Sequence, residues 1–378
     1  MYRSRRRSVL TVTAVAAALL TIAGCATRRT DTTVTNVTGV TAADGRAIDK
    51  LFESYASPRV PGAAVVVTRD GRVVFARGYG LAELETNTPV TEHTNFRLAS
   101  LTKPFTAMAV MLLVRDGRLR LDDRVRDILP DFPAYGRDIL IGHLLGHTSG
   151  LRPYEALVRD SQTRQLRDRD VLALLQRTDT LLFPPGSAFR YGDSGYAILA
   201  LVVETVSGGS FARFLHDRIF ARANMESTVA YEPGISVVPH RARGYSPTPI
   251  GFRPSDQTHT TAVLGDGGIY SSVRDLAAWD RALDEHRLLD ARLQQLAWTP
   301  GTLNDGTRTR YGFGWFIDRD ATGPYVSHHG ETSGFTNTII KYPGRRLTVV
   351  VLTNRRGGAP GKIAATITTL DSFRTAPR

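Results

Sequence analysis

Cysteine is almost absent: one occurs in 378 residues, so the chain can close no internal disulfide and build no site with two thiolate ligands. Long apolar runs are also scarce. The only extended one, Val9 to Ala23, is shorter than the ~20 residues a spanning helix needs. Acidic residues are fewer than basic ones, 36 against 48, which leaves a formal charge of +12. No run of basic and aromatic residues accompanies that excess, and no nucleic-acid-binding module is recognisable, so nucleic acid is excluded as a partner. The scattered arginines read as a solvated surface suited to an anionic membrane or polymer. Internal repeats are lacking. His143 and His147 stand four apart, but the Glu of a His-Glu-x-x-His metal motif is missing. They read as a structural pair with ring nitrogens bonded to backbone, and neither a metal nor a cofactor is expected. What remains, 42% apolar and 22% charged residues, is ordinary globular protein with ample core.

The N-terminus is processing sequence. Tyr2 to Ser8 is basic, the apolar run follows, and it ends Ile22-Ala-Gly-Cys25, which resembles the lipobox of bacterial lipoproteins. The resemblance implies cleavage before Cys25, lipidation of its sulfur, and an exported protein anchored to a bacterial membrane, facing periplasm or exterior. Removing the four arginines of residues 1–24 lowers the charge to +8. Residues 25–43 are Thr-rich and without period, a tether. The fold occupies 44–378.

Ala63 to Thr68, the turn Arg69-Asp70-Gly71, and Arg72 to Arg77 predict a β-hairpin. Residues 118–265 are mostly helical in pattern, with Tyr196 to Ser207 a strongly apolar helix and Pro233 to Pro254 irregular. Tyr311–Ile317, Tyr325–His329, Phe335–Lys341 and Leu347–Thr353 read as strands with short, hence antiparallel, connections. The expected fold is α/β (α+β): an antiparallel sheet built from both termini (about 44–117 and 266–378), flanked by helices, with a mostly helical domain (118–265) inserted.

Ser100 and Lys103 lie three apart where a polar segment becomes the apolar helix that ends at Asp116-Gly117, so a hydroxyl and an amine can share one helical face. Alone this pair reads as a cap and a solvated lysine. Two further strings accompany it, Tyr191-Gly-Asp193 before a helix and His328-His-Gly330 on a strand, with His143-Leu-Leu-Gly-His-Thr-Ser-Gly-Leu151 and Gly267-Gly-Ile-Tyr-Ser-Ser-Val-Arg-Asp-Leu276 between. The ordered set Ser-x-x-Lys, Tyr-x-Asp, His-x-Gly resembles the serine β-lactamase and penicillin-binding-protein superfamily. It is most similar to the branch of class C β-lactamases, D-alanyl-D-alanine carboxypeptidases and related esterases.

The resemblance implies a β-lactamase/transpeptidase-like fold and an acyl-enzyme on Ser100. Lys103 and Tyr191 would share the activating proton, with a Tyr191 phenolate held by the Lys103 ammonium as the preferred arrangement. It places the oxyanion hole at the N–H groups of Ser100 and Glu331, with Gly330 admitting the substrate carbonyl. Two departures matter. Asp193 stands where the family usually has an amide-donating Asn, and His328 where class C enzymes carry a fixed Lys cation. Both weaken β-lactam recognition and leave esters, or D-amino-acid amides and peptides including cell-wall peptide, as the expected substrates. A penicillin-binding D-Ala-D-Ala carboxypeptidase or weak β-lactamase, a slow-turnover penicillin-binding sensor and a transacylase are the alternatives. The trypsin-like string Gly192-Asp-Ser-Gly195 lacks any supporting frame, and Ser194 sits where a helix cap belongs. Trp279, Trp298 and Trp315 are expected in core or pocket wall, and His329 on the strand face away from the site.

Overall fold

A computed structural model describes residues 39–374; the expected signal peptide and Cys25 lie outside the described residues. Helix α1 (Ala42–Leu51) starts at Thr41, whose hydroxyl accepts the Asp44 N–H at 3.1 Å, a side-chain cap. Strands β1 (Ala63–Arg69) and β2 (Arg72–Tyr79) form the hairpin expected from Asp-Gly. Asp70 and Gly71 both have positive φ, 52° and 72°, as a tight primed turn requires. Next come α2 (Lys103–Arg115), α3 (Asp168–Leu175) and α4 (Ser194–Ser207), the last ended by Gly208 at φ 78°. Helix α5 (Val273–Asp284) precedes β3 (Phe316–Asp320), β4 (Gly323–Thr332), β5 (Phe335–Tyr342) and β6 (Leu347–Thr353), and α6 (Pro360–Ile367) follows.

The six strands pair antiparallel in the order β3-β4-β5-β6-β1-β2, so the first hairpin closes onto the last strand. Register explains the two faces. His328, Ile339, Val350 and Val66 stand directly opposite one another across four strands, on the face covered by α5 and the Ala99–Thr102 turn, whose core continues into α2 and α4. Val65, Val67, Val349 and Val351 point the other way and pack with Ile48 of α1 and Ile363 and Ile367 of α6. A one-residue slip of β4 would carry His328 outward and expose its apolar neighbours, at about 1.5–3 kcal/mol for each side chain lost from the core. On the inner face the buried Lys341 amine donates to Asp280 at 2.7 Å and Asp284 at 2.6 Å, tying α5 to the sheet. Among the described residues no single helix is long and apolar enough to cross a membrane.

Two expectations fail locally. Tyr311–Trp315 is not strand, although its residues alternate. Gly314 at φ 80° and Gly312 lie so close to α2 and to the Ala297 carbonyl that a side-chain carbon would stand 2.8 and 2.3 Å from them; the segment is a loop pressed onto helices. Conversely, Pro233–Pro254 closes in a small ribbon, Tyr245–Thr248 with Gly251–Pro254. A two-stranded ribbon is all edge, so Pro247 and Pro254 cost it no ladder bond.

Candidate active site

The nucleophile segment is held from three sides. Phe96–Arg97 pairs with Ile269–Ser271, and the Asn337 side-chain amide donates to the carbonyls of Arg97 (2.8 Å) and Leu98 (3.3 Å). Ala99 then takes φ 53°, a left-handed conformation that alanine rarely adopts, and Ala99–Thr102 forms a tight 3₁₀ turn leading into α2. The helix proper therefore begins at Lys103, so Ser100 sits on the tight turn before it and not within the helix. Ser100 stays partly open to solvent, while Lys103 is fully buried.

Lys103 is the hub. Its amine donates to Ser100 Oγ at 3.0 Å, to Asp193 Oδ1 at 2.6 Å and to the Asp266 carbonyl at 3.0 Å. That carbonyl is set by a turn whose Leu264 and Gly265 N–H groups bind the buried Asp168 carboxylate, each at 2.9 Å. Burial alone would push the Lys103 ammonium down, but the Asp193 charge beside it outweighs burial and holds the group above its usual range. The Tyr191 ring stands beside this pair, its centroid 5.2 Å from the Lys103 amine. Burial nevertheless raises its phenol, the Lys103 charge pulling it back only in part. Both directions favour an ammonium beside a neutral phenol over the expected phenolate in the free site.

Asp193 is one of three carboxylates whose oxygens lie within 4.8 Å of one another, with Glu155 and Asp266. Each is treated differently. Asp193 is held low because the Lys103 ammonium outweighs its burial. Asp266, buried and beside Asp193, is pushed well above the carboxylate range, and the Tyr154 hydroxyl donates to it at 2.9 Å. Glu155 is exposed as a residue, yet its carboxyl turns toward Asp193. Loss of solvent there, then the hydrogen bond and charge of Asp193, push it up to about 8. The spacing would suit a cation, and the Lys103 ammonium already supplies one to Asp193.

On β4, His328 faces the site and His329 faces away, its Nδ1 2.8 Å from Thr338 Oγ1. His328 Nδ1 donates to the His329 carbonyl (2.7 Å), and Nε2 accepts from the Tyr311 hydroxyl (3.0 Å). Burial first, then the Lys103 charge, push it down to about 3. Both nitrogens are committed within the protein, so His328 offers a substrate neither a cation nor a free donor. Gly330 approaches the nucleophile segment so closely that a side-chain carbon would stand 2.1 Å from the Leu98 carbonyl. The Glu331 side chain lies on the opposite face, exposed, 3.9 Å from Arg356; only its backbone is left for the site.

Matching of known proteins agrees with this geometry. A family profile described as Beta-lactamase matches residues 48–371. The chain belongs to the beta-lactamase family. It is 32% identical to penicillin-binding protein 4* of Bacillus subtilis over 82% of this chain and 71% of that protein. It is 31% identical to a D-aminopeptidase of Gluconobacter oxydans over 79% of this chain, though it spans only 57% of that protein's length. Among solved structures, a penicillin-binding protein from Bacillus halodurans superposes with a TM-score of 0.73 at 29% identity, covering 85% of this chain and 98% of that one. The fold and the enzyme class expected from the motifs, a serine hydrolase of the β-lactamase fold, stand on these relatives.

Several residues around the site were not singled out from sequence. Glu155 and Asp266 lie in short helical turns, Tyr154–Leu157 and Leu264–Gly267, just outside the quoted strings, and Tyr311 lies in the stretch read as strand; no local spacing marks any of them as part of the site. His147, read as half of a structural pair with His143, separates from it. His143 Nδ1 accepts the Leu140 N–H at 3.2 Å, whereas His147 packs against Tyr191 with ring centroids 4.4 Å apart. Ser194 is not a cap: its hydroxyl donates to the Arg152 carbonyl (2.6 Å) and accepts the Tyr154 N–H (2.9 Å). Trp279 is core, stacked between Phe105 and Trp315.

Proposed function

We propose that this chain hydrolyses amides, esters and short peptides of D-amino acids that carry a free α-ammonium, through an acyl-enzyme on Ser100. The observation that carries the reading is the hydrogen-bonded line from Ser100 through Lys103 to Asp193, with Glu155 beside it at the open edge. The Asp193 carboxylate, joined by Glu155 as that group ionises, suits a cationic group on the substrate, and the D-aminopeptidase relative supports that substrate class. The ammonium would also act on catalysis. The Asp193 charge raises both Lys103 and Tyr191, so a positive charge docked there offsets it and lets the pair release a proton.

Tyr191, as phenolate paired with the Lys103 ammonium, then takes the Ser100 proton as Oγ attacks the substrate carbonyl. The N–H groups of Ser100 and Glu331 receive the oxyanion. Tyr191 returns its proton to the leaving amine or alcohol, and water repeats the sequence to free the acid. A neutral His328 and an accepting Asp193 argue against efficient β-lactam turnover. Export and lipidation at Cys25 belong to the same reading, supported by the lipobox-like string; Cys25→Ser should release the protein from membranes, and retention there would count against it. For the substrate, D-alanyl-p-nitroanilide should be cleaved faster than its N-acetyl derivative, its L-enantiomer or a chromogenic cephalosporin. Preference for the N-acetyl compound or the cephalosporin would overturn the proposal.

A further inference from the structure

His147 is fully buried and lies outside the four-part motif set, yet it contacts the site at three points. It adopts φ 56°, the left-handed conformation, at the end of the short helix Ile141–Leu145. In that conformation its carbonyl accepts the Arg190 N–H at 2.9 Å, and its own ring Nδ1 accepts the Gly192 N–H at 3.4 Å. Those two donors flank Tyr191 in the chain, so one residue grips the backbone on both sides of it. The ring itself covers the Tyr191 ring at 4.4 Å and is backed by Tyr311 at 4.6 Å and Tyr196 at 5.0 Å.

With Nδ1 accepting, the proton sits on Nε2, a buried donor without a hydrogen-bond partner, packed among aromatic rings. A buried donor left unspent is costly, so an apolar ring would serve better if filling space were its only task. What a phenyl ring could not supply is the acceptor at Nδ1. The ring also stays uncharged: burial, then the Lys103 charge, push its protonation well below the usual histidine range.

We infer that His147 is a positioning residue for Tyr191, clamping the Arg190–Gly192 backbone so that the phenol stays aligned on Ser100 and Lys103. This rests on Tyr191 acting in proton transfer, and the test separates the two claims. His147→Gly and His147→Asn both tolerate the left-handed conformation and keep the backbone carbonyl, but only Asn restores an acceptor, its Oδ1 standing in for Nδ1. In the full-length protein, with folding checked by circular dichroism, His147→Gly should lower kcat on a p-nitrophenyl ester ~10–100-fold with KM little changed, as for a small misplacement of a reacting group. His147→Asn should recover most of that loss. In a Tyr191→Phe background the Gly substitution should cost little more, because the residue it aligns is gone. Equal losses in both backgrounds, an Asn variant as slow as Gly, or a Gly variant with unchanged kcat would each overturn the inference. If Tyr191→Phe itself keeps wild-type activity, the proton-transfer reading fails, and this inference with it.

Discussion

Replacing Asp193 by Asn tests how the site sets its own protonation. In the structure an Asp193 oxygen lies 2.6 Å from the Lys103 amine, and the Lys103 side chain is 0% exposed against 33% for Asp193. A unit charge pair at about 4 Å is worth ~4 kcal/mol at an effective dielectric of 20. Because water reaches Asp193, that figure is discounted here to ~1.5–3 kcal/mol, or ~1–2 pKa units. Asp193 raises both Lys103 and Tyr191, so its removal lowers both, and the base form becomes available at lower pH. The acid limb of the kcat/KM profile for a neutral p-nitrophenyl ester should therefore move down by ~1–2 pH units in Asp193→Asn. Substrates with an α-ammonium should lose at least ~10-fold in kcat/KM, about the 1.4 kcal/mol of a modest charged contact. Acylation by a cephalosporin should rise, because Asn can donate to its amide carbonyl. An acid limb left where it is in the wild type, with all three substrates slowed alike, would refute the electrostatic reasoning and reduce Asp193 to a structural partner of Lys103.

Two further substitutions probe the edge and the floor of the site. Glu155 titrates near 8, so below that pH it is neutral and above it adds a second negative charge beside Asp193. For an ester bearing a trimethylammonium group, whose charge does not titrate, KM should fall as pH rises through about 8; Glu155→Gln should flatten that dependence, and an unchanged profile would count against the cation-binding edge. Gly330→Ala would set a methyl 2.1 Å from the Leu98 carbonyl, so strand and nucleophile segment must separate. A loss of ~1–3 kcal/mol in stability and of at least ~100-fold in kcat is expected by denaturation and ester assays, and wild-type values would contradict the close approach described.

The sequence made some of this legible for physical reasons that are local. Asp70-Gly71 can take two consecutive positive φ values, and the short valine-rich runs before and after it leave few options but a hairpin. The motif order announced Ser100, Lys103 and Tyr191, and the structure brings them together: Lys103 donates to Ser100, and its amine lies 5.2 Å from the Tyr191 ring centroid. Alternation on β4 placed His328 inward and His329 outward. What stayed hidden is non-local. Glu155 and Asp266 are separated by more than a hundred residues and meet only because a turn bound by Asp168 and the Tyr154 segment converge on Lys103. The resting state of Tyr191 depends on the balance of its burial against three neighbouring residues, Ser100, Lys103 and Asp193, which no spacing rule contains. His147 escaped because its i, i+4 partner suggested a pair, whereas the left-handed turn at φ 56° swings it away from His143 and into the site. The stretch Tyr311–Trp315 misled for the opposite reason: its alternation reflects packing against α2, and its glycines are needed for close approach rather than for pleat.

Covalent chemistry on Ser100 is the central claim. Intact-protein mass spectrometry, on samples quenched in acid during turnover of a D-alanyl p-nitrophenyl ester, tests it most directly. The wild type should gain the mass of one alanyl group, mapped by peptide digestion to Ser100, and Ser100→Ala should show neither adduct nor hydrolysis above background. An adduct on another residue, or sustained hydrolysis by Ser100→Ala, would contradict the account.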